Sequence, residues 1–357
     1  MSGADLGERV DELLAVVEGN DHEAVSVGFD GVARAAMKAS PDQIQAVLPA
    51  LVPVLARIPI GMGGMLAGLA GTMAEHGTDP AVVVPTLVGR AIEAMELAAR
   101  FEQAYQAAFG EPPDPENPDL AQPTLQRFVG SATDRGTTEP EAFAQVEAWF
   151  CGDQWVRPVL LLSQRQNVRA MLPDRPRMTA AMDAMREHHE CAYWLYGLLL
   201  VLDDEPLIVL HRATGRGFRV TINGVGSNFQ LHTLLAAALI GEESHGMLPG
   251  QRPSAVEIAA ATDGEELTPP DVIHGRFNLV DAYGSSIWNE GRPADIPTMD
   301  GTRVVVLDPP PYPRAWTAGR PYPFMRPTVT VHGPLPASEA ARWLAQVRPA
   351  TRTIFGS

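Results

Sequence analysis

The order of apolar and polar positions divides the chain into a helical first third and a later region that mixes helices with strands. Over residues 5–18, apolar side chains fall at Leu6, Val10, Leu13, Leu14 and Val17, the spacing of a helix with one buried face. Ser40-Pro41-Asp42 marks another start, because a serine oxygen caps free amides and the fixed φ of proline suits the first helical position. That helix runs through Ile44, Val47, Leu48, Leu51 and Leu55, and Pro49 and Pro53 predict a kink or a split in it. Thr78-Asp79-Pro80 repeats the start pattern before a long helix reaching Phe109. Helices of this length with short Gly or Pro turns predict a HEAT-like stack or a plain bundle. Small residues at Gly64, Gly68 and Gly71 share a helix face and predict close helix packing, either inside the core or against a partner.

Residues 111–123 hold five prolines and four acidic residues, which reads as a linker or extended loop. Two or three helices follow from Glu139, the last spanning residues 177–202. Apolar runs at 207–211 and 218–222 flank a glycine-bearing loop and predict an antiparallel hairpin. A helix over 227–240, strands near 277–282, 303–307 and 328–332, and a closing helix over 338–347 complete the pattern. The expected fold is α+β: an all-helical N-terminal domain (1–110), a Pro-rich acidic linker (111–138) and an α+β domain with a mainly antiparallel sheet (139–357).

Composition removes several classes of chemistry. The formal net charge is −16, so the overall field repels nucleic acid and anionic membranes. One lysine, Lys38, leaves arginine as 26 of the 27 basic residues, the bias of GC-rich bacterial coding. Lys38 has no glycine-rich loop before it, which argues against a Schiff-base enzyme and a phosphate loop of the Walker type. Cys151 and Cys191 form no CxxC, so neither a zinc ribbon nor a thioredoxin-like motif is expected, and nothing supports a disulfide between them. The apolar run at 58–73 is short and holds five glycines, and the first 18 residues are rich in Asp and Glu. No membrane span and no signal peptide are expected, and a cytoplasmic protein is.

Three segments carry candidate chemistry. Gly224-Val225-Gly226-Ser227-Asn228-Phe229 imitates a dinucleotide fingerprint, but Phe229 stands at the third glycine and the preceding strand belongs to a hairpin. Ser227 and Gln230 read instead as a capping box. Asn228 and His232 then lie along one edge of the stripe Leu231, Leu234, Leu235, Ala238 and Leu239, lining a cleft or tying the helix to a strand. Glu187-His188-His189-Glu190-Cys191 offers His188 and Cys191 on one helix face. It lacks HExxH spacing and a second cluster, and His189 falls on the seam of Met178, Met182, Met185, Ala192, Tyr196 and Leu199. No metal and no cofactor are expected.

The loops at 283–297 and 309–327 concentrate aromatic and arginine side chains: Trp288, Asn289, Glu290, Arg292 and Asp295 in the first, Tyr312, Arg314, Trp316, Arg320, Tyr322 and Arg326 in the second. That makeup resembles a recognition surface, and equally a loop clamped down by its own aromatics. The expectation is a non-enzymatic binding or scaffold protein that takes a protein, a peptide or a small anionic ligand. Its ligand-binding residues would be Asn228, Trp288, Asn289, Arg292, Arg314, Trp316 and Arg320. The alternative is an enzyme of the C-terminal domain on an anionic substrate, with His232 and Asp295 or Glu290 for acid–base work.

Overall fold

The computed structural model describes residues 4–18, 22–77 and 79–351. Two compact units divide between Leu199 and Leu200. The first is all helical: α1 (Ala4–Glu18), α2 (His22–Ala36), α3 (Pro41–Leu55), α4 (Ile60–His76), α5 (Val84–Phe109), α6 (Ala121–Thr133), α7 (Glu139–Leu162), α8 (Gln166–Met171), α9 (Arg175–Met185) and α10 (Glu190–Leu199). The expected boundary at 111–138 is therefore misplaced. The long helices on either side of it, α5 and α7, pack against each other. Phe101, Tyr105, Phe128 and Trp149 stack across α5, α6 and α7, and the Trp149 indole donates to the Pro113 carbonyl at 2.8 Å. Prolines and acids signal irregular backbone, but irregular backbone anchored by an aromatic cluster belongs to the core beside it.

Two further details depart from expectation, and one start signal is kept where it is described. α3 is one helix across Pro49 and Pro53, because both prolines lie on its exposed side, where solvent hydrates the carbonyls left unbonded. Of the second start signal, Thr78 lies outside the described residues, and the Asp79 side chain accepts from Ala81 N at 2.9 Å. The helix expected over 177–202 is broken between Met185 and Glu190.

The small-residue face of α4 serves internal packing. A Cβ on Gly63 would lie 2.3 Å from Trp155 Cζ2, and one on Gly71 would lie 2.4 Å from Pro158 Cβ, so α4 and α7 approach as closely as hydrogen side chains allow. Trp155 is fully buried and donates to Ile60 O at 2.9 Å, which leaves it no room to yield. Gly71→Leu is expected to destabilise the helical unit by about 3 kcal/mol through overpacking. Gly68→Ala, with nothing within 4 Å of the new carbon, should be neutral or slightly stabilising, both variants being measured by urea titration of the full chain.

The second unit is α+β, as expected. Its elements are β1 (Glu205–His211), β2 (Arg216–Asn223), α11 (Asn228–Leu239), α12 (Ala255–Thr262), β3 (Ile273–His274), β4 (Asn278–Asp281), β5 (Thr298–Met299), β6 (Thr302–Asp308), β7 (Ala315–Trp316), β8 (Thr328–Pro334) and α13 (Ala337–Gln346). The main sheet has the order β4-β6-β1-β2-β8, with β5 beside β6. Every pairing is antiparallel except β1 with β6.

The centre of this sheet is buried on both faces. In β1, Leu207 and Val209 join the core under α11 and α12, while Ile208 and Leu210 join the core under α13. In β6, Val305 and Leu307 face the first core, and Val304 and Val306 the second. Side chains alternate across a strand, so a strand covered on both faces reads as an unbroken apolar run. A separate ribbon pairs β3 with β7, matching Ile273 to Trp316 and His274 to Ala315.

Candidate functional site

Three loops meet at the N-terminal end of α11. The helix starts because Ser227 Oγ accepts from Gln230 N at 3.3 Å. The reciprocal half of the expected capping box is absent: Gln230 Oε1 accepts from Gly226 N at 2.8 Å, and its Nε2 donates to Ala261 O of α12 at 2.7 Å. The first-turn amides are also taken. Asn228 N donates to Gly291 O at 2.8 Å and Phe229 N to Asn289 O at 2.9 Å. With these donors used, the glycine turn has no cradle for a phosphate.

The same contacts fasten the 288–292 loop to the helix. Asn228 is buried, and its Nδ2 donates to Trp288 O at 2.8 Å and Arg292 O at 3.4 Å. Pro321 and Tyr322 close over the turn from the other loop, so that a Cβ on Gly226 would stand 2.5 Å from Pro321 Cγ.

His232 sits one turn into α11 and is fully buried. Its Nε2 faces two backbone donors, Arg276 N at 3.0 Å and Phe277 N at 3.2 Å. A nitrogen that accepts two amide protons carries none itself, so the neutral imidazole holds its proton on Nδ1. Burial lowers the His232 pKa to about 3, and the Arg314 and Arg276 charges add to the effect. Trp316 meets the imidazole edge to face at 4.9 Å between ring centres and tilts onto Phe229 at 5.2 Å.

The arginines point largely inward. Arg276 is clamped by Glu257 in a two-pronged pair, Nη1 to Oε1 at 2.6 Å and Nη2 to Oε2 at 2.9 Å. Glu257 also accepts from Ser254 N at 2.7 Å and His274 N at 2.9 Å. Burial acts to raise its pKa, but the bonds from Arg276, His274 and Ser254 override that and hold the carboxyl at about 2. Arg314 donates to Phe277 O at 2.6 Å, and Arg320 to Gly264 O at 3.0 Å and to Pro323 O.

Of the residues singled out in the sequence, Asn228, Trp288, Asn289, His232, Arg314 and Trp316 gather around the first turns of α11. Arg292 and Asp295 close a turn of their own, Arg292 N donating to Asp295 Oδ2 at 2.8 Å. Among the described residues, no hydrogen bond joins His232 to Asp295 or Glu290, and the carboxylate in its field is Glu257. Glu257 and Arg276 were missed. Ser254-x-x-Glu257 is legible as a capping box, but no local signal says that the same carboxylate spans to a residue nineteen positions on.

The 187–191 cluster does not form one helix face, because α10 begins only at Glu190. His188 Nε2 lies 2.9 Å from Glu102 Oε1, and His189 Nδ1 lies 3.6 Å from Asp153 Oδ1. Both imidazoles pack on Trp149. Burial and the Asp153 charge push the Cys191 thiol up to about 11, so it is not a nucleophile near neutrality. Among the described residues, no three His, Cys, Asp or Glu side chains gather as a metal site. A concavity of about 540 Å³ lies between α2, α3 and α4, lined by Ala36, Met37, Ile44, Leu69, Met73 and His76 among others.

No helix among the described residues is long and apolar enough to cross a membrane. No protein-family model, curated protein or solved structure matches the chain.

Proposed function

We propose that the protein is a non-enzymatic binding protein whose second unit takes a protein or peptide partner on the loops around the start of α11. The observation that carries this reading is large aromatic surface on anchored backbone. Trp288 is 70% exposed and Phe324 61% exposed, with Tyr283 and Tyr312 also exposed. Large side chains whose backbone is already fixed lose little entropy on binding, and aromatics dominate the energy of interfaces. The loop that carries Trp288 is fixed by four bonds to Asn228 and Phe229.

The enzyme alternative has less to stand on. A base must offer a free lone pair and a pKa near the working pH. His232 has its lone pair occupied and a pKa of about 3.

The test uses the full chain, immobilised in native lysate, beside Trp288→Ala and Phe324→Ala. A polypeptide held in stoichiometric amount by the parent should bind each variant with a loss of about 2 kcal/mol, roughly thirtyfold. Melting temperatures should stay level, since both side chains are mostly solvated. Equal retention by parent and variants would sink the reading.

A further inference from the structure

We infer that the outer edge of β8 pairs with the same edge of a second copy of this chain, antiparallel and centred on Thr330, joining two sheets into one across a two-fold axis.

A strand at the end of a sheet carries N–H and C=O groups that alternate in direction, and half of them face away from its neighbour. The main sheet treats its two ends differently. At β4 the chain folds back on itself: Ile287 N donates to Leu279 O at 2.8 Å, Asp281 N donates to Ser285 O at 2.9 Å, and Val280 bridges Ser286. Beside it, Tyr283 Oη donates to Thr298 O of β5 at 3.0 Å. At the other end, β8 pairs with β2, and among the described residues no backbone bond reaches it from the side away from β2.

Little in the sequence blunts this open edge. Residues 328–333 read Thr-Val-Thr-Val-His-Gly, with no Lys, Arg, Asp or Glu, and the prolines stand at the ends, at 327 and 334. The register with β2 is regular from Thr328 to Val331 and shifts only at His332. Val329 and Val331 pack against the core under α11 but are only partly buried, while Thr328, Thr330 and His332 are exposed on the opposite face.

A copy fits this edge residue by residue. With the axis at Thr330, Val329 of each chain lies opposite Val331 of the other, Thr330 lies opposite itself, and Thr328 lies opposite His332. Valine then extends the apolar face across the seam, threonine and histidine extend the polar face, and no like charges meet. Because the chain itself closes the β4 end, pairing through β8 stops at two copies and does not propagate. The net charge of −16 opposes association over the surface as a whole, so an uncharged strand is the place where two copies approach with least repulsion.

The test is sedimentation equilibrium of the full chain over about a hundredfold range of concentration. Salt at about 0.15 M screens exposed charges beyond about 8 Å and leaves directly opposed residues to interact. The mass should rise with concentration from that of one chain towards that of two and stop there, since a short ladder is a small interface. Thr330→Glu and Thr330→Lys each oppose like charges across the axis and should weaken association by about fivefold or more. Mixing the two variants should restore it. Should either variant fold poorly, hydrogen exchange on the parent is an independent measure: amides in 328–332 should gain protection as the dimer forms, and those of β4 should not. A parent that keeps the mass of one chain throughout, a mixture of the charged variants that stays monomeric, or association without protection of β8 would overturn the inference. So would protection of the same amides by a partner captured from lysate while the chain alone stays monomeric, which would give the edge to that partner.

Discussion

His232→Ala is expected to cost roughly 3–5 kcal/mol of stability in the second unit. The imidazole is fully buried. Its removal strands two amides, Arg276 N and Phe277 N, and opens a space beside Trp316. His232→Gln should recover part of the loss, because its side-chain oxygen accepts hydrogen bonds. The readout is hydrogen exchange of β1 and β2 during denaturant titration, since two compact units need not unfold together. A cost below about 1 kcal/mol would show that the two bonds to Nε2 hold nothing in place.

The same histidine sets a pH dependence. Its folded pKa of about 3 lies below the ordinary 6.5, so between these values the unfolded chain takes up a proton that the fold refuses. Stability is therefore complete above about pH 6.5 and falls as the pH drops towards 3. Each pH unit in that range costs about 1.4 kcal/mol, which amounts to roughly 2–3 kcal/mol by pH 4.5. Burial also lowers the pKa of His211, so that residue adds loss of the same sign. Glu257, held at about 2 against an ordinary 4.5, contributes only below pH 4.5. Within the second unit the window from 6.5 to 4.5 therefore belongs to these two histidines. In His232→Gln the slope there should shrink to the part left by His211, and an unchanged slope would mean that His232 titrates normally.

Glu257→Ala should cost a further 3–5 kcal/mol, for a different reason. Glu257 is the counter-charge of Arg276, whose side chain is 10% exposed, and it also accepts from Ser254 N and His274 N. Its loss leaves a buried cation unpaired, uncaps α12 and frees the strand that pairs with β7. Glu257→Gln keeps two backbone bonds and loses the charge, so it should fall between the parent and alanine. The paired change Glu257→Met with Arg276→Met should recover much of the deficit, because breaking half of a buried pair costs more than replacing it whole. A double variant as unstable as Glu257→Ala would show that the caps, not the charge pair, carry the effect.

How far the chain is legible from its residues follows from the range of each interaction. The start of α3 at Ser40-Pro41, the hairpin of β1 and β2, the cap of α11 at Ser227 and the closing helix α13 were all readable, because caps, turns and alternation act within a few residues. The failed readings involve contacts between distant positions. Residues 111–123 look like a linker until Pro113 is seen to accept from Trp149. The glycines of α4 predict close packing, inside the core or against a partner, and only Trp155 against Gly63 and Pro158 against Gly71 decide for the core.

The candidate site follows the same division. Sequence by itself determined the α+β class, the local elements and the concentration of aromatic and arginine side chains in two C-terminal loops. Tertiary structure decided which of those side chains face inward. Arg314 and Arg320 turn to backbone carbonyls, Trp288 stays in solvent, and His232 receives the amides of 276 and 277 in place of the carboxylates expected beside it. The reason is physical. Propensity and periodicity specify a backbone locally, whereas the burial of a polar group and the identity of its partner depend on where folding brings distant backbone donors and acceptors.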